Sequence, residues 1–110
     1  MNKELELYEL VLLFKLSPAD GEVSERIEYY KQFLTEKGSQ VMVKNHGKRS
    51  LAYPIKGFET ATYVQLVYLG NGELINQLNT ELQRDELLLR AITTKLMDES
   101  LSQTFYEAVA

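Results

Sequence analysis

Cysteine is absent from the 110 residues, and histidine occurs once. The first absence excludes a disulfide framework, thiolate metal sites and thiol catalysis. The second leaves His46 alone, and a histidine-based metal site would need carboxylates that no spacing here supplies. No apolar run approaches the roughly 18–20 residues that cross a bilayer, so no membrane partner is expected. The opening stretch, MNKELELYEL, alternates acidic and apolar residues and lacks the basic flank and apolar block of a secretory signal. The expectation is a protein of the cytosol or of an organelle interior. Repeats, low-complexity segments and internal linkers are also missing, which points to one compact domain.

Acidic residues are missing from one region only. The chain carries a net charge of −4 with an isoelectric point near 5.0, which argues against a general nucleic-acid binder. Yet residues 38–58 hold no acid at all, against Lys44, Lys48, Arg49 and Lys56. Residues 1–36 hold eight acids and four bases. A basic stretch therefore sits on an acidic body. Charge alone leaves two readings open, a solvated strand face or a surface that holds something acidic.

Periodicity divides the chain into six elements. Residues 5–16 alternate as a strand, with Tyr8, Leu10, Leu12 and Phe14 on one side and Glu9, Val11, Leu13 and Lys15 on the other. Residues 17–38 read as a helix with Ser17 as cap, Pro18 at the first position, Asp20 completing a capping box and Gly38 as the stop. Its apolar stripe is Val23, Ile27, Tyr30 and Leu34. A strand follows from Ser39 to about Tyr53, with Gly47 expected to weaken or bulge it. PIKGFE reads as a connection, because Pro54 cannot donate to a ladder. Residues 60–69, TATYVQLVYL, are rich in β-branched and aromatic residues and form the next strand. Residues 70–84 give a second helix with Asn71 as candidate cap and a Leu74, Leu78, Leu82 stripe. Residues 85–96 give a last strand. The domain spans residues 1–97, and residues 98–110 lack periodicity and read as a flexible tail.

The order β-α-β-β-α-β is that of the split βαβ, or ferredoxin-like, plait, an α+β fold. A four-stranded antiparallel sheet then carries both helices on one face, and the strand with Lys44 to Arg49 lies at an edge. The other face stays open. No enzyme can be read here. Asp85-Glu86 and Asp98-Glu99 are adjacent rather than set across a cleft, and read as polar ends of elements. GNG at 70–72 lacks the residues that would complete a phosphate loop and reads as a turn.

The basic strand is more informative. Without a register shift at Gly47, Lys44, His46 and Lys48 share one face, and Asn45, Gly47 and Arg49 the other. Such an edge can track a phosphate backbone while Tyr53, Phe58 or Tyr63 stacks on a base. Core or hairpin packing is the competing role for these aromatics, and the favoured one for Tyr63. The RNA-recognition signature of basic, glycine and aromatic residues on the third strand is not present. Edge backbone near Val41 and Val43, with Val11 and Leu13 on the open face, suits a protein partner. A rival reading of that open face is a ferredoxin-like regulatory domain that binds a small molecule. A generic protein–protein adaptor is a third.

YELVLLFK in the first strand, GKRSLAYPIKG after the second and DELLLR opening the last together resemble the bacterial small-subunit ribosomal protein six family, over about residues 7–97. Tyr-Glu near the start and Arg-x-Leu-Ala-Tyr-Pro-Ile in the middle are the most specific marks. The resemblance implies the ferredoxin-like fold, no enzymatic activity, no cofactor and no small-molecule substrate. It also implies binding to the central domain of small-subunit ribosomal RNA as a heterodimer with ribosomal protein eighteen of the same subunit. The setting would be the ribosome, in a bacterial cytoplasm or a plastid stroma. Lys48 and Arg49 match the basic pair before Leu-Ala-Tyr, and Arg90 matches the basic residue after the acidic-apolar pattern of the last strand. Lys44, His46 and Lys56 join them on charge and position alone.

The chain departs from the family at three points. His46 stands where Trp is common before the glycine, Ser50 replaces a further base, and Ala61-Thr62 rather than glycine precedes Tyr63. The first removes an expected stacking side chain and the second lowers the local charge.

Overall fold

Alternation along ELYELVLLF gives β1 (Glu6–Phe14), whose even-numbered apolar residues from Leu10 to Phe14 are fully buried. The computed structural model describes residues 5–16 and 21–96. The expected cap at Ser17, with Pro18 and Asp20, lies outside the described residues, as does the tail at 98–110. α1 runs Glu22–Glu36, directly after Gly21, with Glu22 and Glu25 in the first turn where the helix dipole favours acids. Gly38 ends it as expected, with its N–H on Thr35 O and that of Ser39 on Leu34 O, both at 3.0 Å.

β2 (Val41–Ile55) and β3 (Phe58–Gly70) are longer than the sequence pattern suggests. The expected PIKGFE connection shrinks to the two residues Lys56 and Gly57, whose φ angles of 50° and 85° suit a tight hairpin. Pro54 lies inside β2, which an edge strand tolerates because one of its sides needs no donors. α2 (Gly72–Gln83) is capped as expected, the Asn71 side chain accepting from Leu74 N at 2.9 Å. β4 is the shorter Leu88–Lys95, because residues 85–87 form a turn.

The strands order as β2-β3-β1-β4, every neighbour antiparallel, which is the expected plait. Leu10, Leu12 and Phe14 of β1 and Val64, Leu66 and Tyr68 of β3 meet Ile27, Tyr30 and Leu34 of α1 and Leu74, Leu78 and Leu82 of α2 in the main core. Val41 and Val43 pack against this core as well, so their side chains face the helices and only their edge backbone is open to a partner.

The opposite face is not bare. Leu13, Ala61 and Leu89 are buried there, with Val11, Leu51, Ile55 and Tyr63 packed around them. The cover comes from the end of the hairpin. Between the pairs Ser50–Thr60 and Ile55–Phe58, β2 carries Leu51 to Pro54 where β3 carries Glu59 alone. That excess folds Leu51 and Ile55 over Leu13, which therefore offers a partner far less surface than its strand position suggests.

Asp85, expected as a polar end, is buried. It accepts from the Tyr30 hydroxyl at 2.6 Å and from Leu87 N at 2.9 Å, and the Arg26 guanidinium lies 3.7 Å away. Burial first, then this bond to a carboxylate, pushes the Tyr30 hydroxyl far above its ordinary value. The cluster fastens α1 to the turn before β4.

Candidate nucleic-acid interface

The basic strand is organised by one extra residue. Asn45 pairs with Val64 and Gly47 with Tyr63, so His46 is a bulge that no residue of β3 opposes. Asn45 Oδ1 accepts from Gly47 N at 2.8 Å, and Gly47 takes a φ of 79°. That left-handed conformation, favoured by glycine, makes the bulge possible here.

The consequence is a change of face. Paired residues of neighbouring strands share a side of the sheet. Lys44 opposite Gln65 and Arg49 opposite Ala61 lie on the open face, and Lys48 opposite Thr62 lies on the helix side. The pattern expected without a shift is therefore corrected. Lys44, His46 and Arg49 share a face, while Lys48 and Arg49, adjacent in sequence, diverge.

Further along the same face, Arg90 pairs with Leu13, which in turn pairs with Tyr63, which pairs with Gly47. One row thus crosses all four strands from the bulge to Arg90. Arg90 Nη1 donates to the Tyr53 hydroxyl at 3.3 Å, tying β4 to the hairpin end. Tyr53 is 60% exposed, so its ring is free to stack on a base while its hydroxyl holds the guanidinium. Lys56 stands apart in the hairpin turn. With Arg90, Asn79 and Gln83 it lines a recess of about 350 Å³ beside the end of α2.

His46 is half-buried on the open face. Its ring meets Tyr63 edge-to-face at 5.0 Å, and its Nε2 lies 3.0 Å from Gln65 Oε1. Gln65 Nε2 donates to Glu9 Oε2 at 2.6 Å. Tyr63 thus has the packing role expected of it. Phe58, 37% exposed, lies under the Lys15 ammonium, 5.8 Å from the ring centre. Tyr53 is the aromatic best placed for a ligand.

Sequence reading missed Glu9 and Gln65 as members of the site. Gln65 is the one amide among the apolar residues of TATYVQLVYL, and that was the available signal. Among the described residues, no three His, Cys, Asp or Glu side chains gather to hold a metal. No described helix is long and apolar enough to cross a membrane.

The arrangement is an open sheet face with cations on two edges and an exposed tyrosine beside Arg90, suited to an extended polyanion. The family model described as "Ribosomal protein S6" matches residues 7–95. A small ribosomal subunit protein bS6 of Gloeothece citriformis is 38% identical over 90 residues, covering 81% of this chain and 51% of that one. The chain thus spans about half the length of that relative. A small ribosomal subunit protein bS6c of Guillardia theta is 34% identical over 94 residues, covering 84% of this chain and 98% of the relative. The crystal structure of 30S ribosomal protein S6 from Thermotoga maritima superposes with a TM-score of 0.80 at 20% identity, covering 96% of this chain and 98% of that one, which shows the shared fold.

Proposed function

As the chain belongs to the ribosomal protein S6 family, a family of the small ribosomal subunit, we propose that it binds the central domain of small-subunit ribosomal RNA together with ribosomal protein eighteen of that subunit. The family is one of structural ribosomal proteins and not an enzyme class, and RNA binding in translation follows from that place. Its bacterial and bS6c relatives put the setting at the ribosome of a cytoplasm or a plastid.

The observation that carries the finer reading is the bulge at His46, which collects Lys44, His46 and Arg49 on the face that also bears Arg90 and Tyr53. A phosphate backbone laid across this face meets cations from both edge strands, and Tyr53 offers a stacking surface beside Arg90. Lys48 and Lys56 flank it from the helix side and the hairpin turn. The unpaired backbone of β2 near Val41 and Val43, with half-buried Val11 on the open face, suits an added strand from the protein partner. An acidic body is compatible with this role, because RNA touches one face and the partner supplies further positive charge.

The test is binding of a central-domain ribosomal RNA fragment by the full chain, alone and with protein eighteen. Binding that strengthens with the second protein, and weakens steeply with salt, is expected. A chain that neither binds the fragment nor sediments with small subunits overturns the reading.

A further inference from the structure

The line Glu9–Gln65–His46 fixes the direction of its own hydrogen bonds. A carboxylate only accepts, so Gln65 must turn its amide nitrogen to Glu9, at 2.6 Å. Its carbonyl oxygen is then committed to His46 Nε2, at 3.0 Å. That oxygen also only accepts, so His46 Nε2 must carry the hydrogen. In the neutral ring the other nitrogen, Nδ1, is left as an acceptor. Among the described residues the ring has no hydrogen bond besides that to Gln65.

His46 lines an open groove of about 400 Å³ with Arg49, Ser50, Tyr63 and Gln65. The groove thus presents a guanidinium, which only donates, beside an imidazole poised to accept. Along a nucleic-acid backbone the phosphate and ring oxygens only accept, and the one donor is the ribose 2′-hydroxyl. Arg49 matches the phosphate. His46 Nδ1 matches the hydroxyl and has nothing to gain from the phosphate.

We infer that His46, aimed by Glu9 through Gln65, accepts a hydrogen bond from a ribose 2′-hydroxyl and makes this face selective for RNA over DNA. The inference rests on the RNA-binding reading and adds a specificity residue to it. Glu9 and Gln65 are positioning residues that do not touch the ligand.

Two measurements on the full chain test it. In the free protein, nitrogen NMR of the imidazole is expected to find the hydrogen on Nε2, and Glu9→Gln is expected to mix the two tautomers, because an amide at position 9 can accept as well as donate. A hydrogen on Nδ1 of the neutral ring in the unaltered protein overturns the inference whatever RNA does. The second measurement compares poly(U) with poly(dU), which differ only in the 2′-hydroxyl. Roughly threefold to tenfold tighter binding of poly(U) is expected, the worth of one hydrogen bond. His46→Phe, which keeps a ring against Tyr63, should abolish the preference, whereas Arg49→Ala should weaken both polymers alike. Equal binding by the unaltered protein, a preference that survives His46→Phe, or no binding of either polymer overturns the inference. In each of these cases the central-domain fragment still judges the RNA reading separately.

Discussion

On the helix-covered side of the sheet, Asp85 accepts from Tyr30 and Leu87 and faces Arg26, and its side chain is 1% exposed. On the open side, Glu9, Gln65 and His46 form a line of similar length, but its members are half-buried and its last residue lines a groove. Both join residues more than fifty positions apart along the chain. They differ in where their polar capacity ends. The Asp85 cluster is closed on itself and can only hold elements together, while the His46 line keeps an acceptor for something outside. A buried, satisfied network contributes to stability, and an exposed, directed one contributes to recognition.

The largest way to break that comparison is Asp85→Ala. It leaves the Tyr30 hydroxyl and Leu87 N–H without their acceptor in a buried place, at a cost of about 2–4 kcal/mol. Glu9→Gln, among half-exposed groups, should cost under about 0.5 kcal/mol. Urea unfolding of both variants measures the gap. Equal losses would mean that the open-side line is structural too.

A smaller effect separates neighbours in sequence. Arg49 lies on the open face and Lys48 on the helix side, so RNA lying on the open face should feel Arg49→Ala far more. A loss of about tenfold in affinity for the central-domain fragment is expected for Arg49→Ala, with a shallower salt dependence. Lys48→Ala should cost only a fraction of that. Equal losses would require the RNA to wrap the β2 edge and touch both sides.

These two contrasts also mark what could be read without a structure. The stripes Leu10-Leu12-Phe14, Ile27-Tyr30-Leu34 and Leu74-Leu78-Leu82 were legible because each is set by a local period of two or 3.6 residues. The Asn71 cap was legible for the same reason. Gly47 signalled a weak point in its strand, but whether it shifts the register depends on Val64 and Tyr63, which oppose Asn45 and Gly47 from another strand. The face of every cation after it was therefore undetermined. Asp85 looked like a polar element end because the group that justifies its burial, Tyr30, is 55 residues away. The Arg90–Tyr53 contact, across 37 residues, was hidden in the same way. The hydrophobic plan is written locally, and the polar sites are written in pairings.

Tyr68 sharpens the comparison from the other side and gives the smallest effect at neutral pH. Like Tyr30 it is buried in the main core, stacked 6.0 Å from Tyr8, but its hydroxyl has no hydrogen-bond partner among the described residues. Burial pushes that hydroxyl up to about 12. Removing an unsatisfied buried hydroxyl removes a desolvation cost, so Tyr68→Phe should leave stability unchanged or raise it by up to about 1 kcal/mol. Tyr30→Phe should lower it, because Asp85 loses its closest donor. The alkaline limb adds a sign that can be checked. A raised folded-state value means that the stability Tyr68 contributes is complete below about pH 10 and is lost as pH climbs towards 12. In that window the unfolded chain sheds a proton that the folded chain keeps, at about 1.4 kcal/mol per pH unit. Phenylalanine sheds none. The advantage of Tyr68→Phe over the unaltered chain should therefore widen from pH 10 upwards in urea unfolding followed by circular dichroism. A constant difference across that range would mean that the hydroxyl reaches solvent or a water partner, and that the contrast with Tyr30 is one of degree.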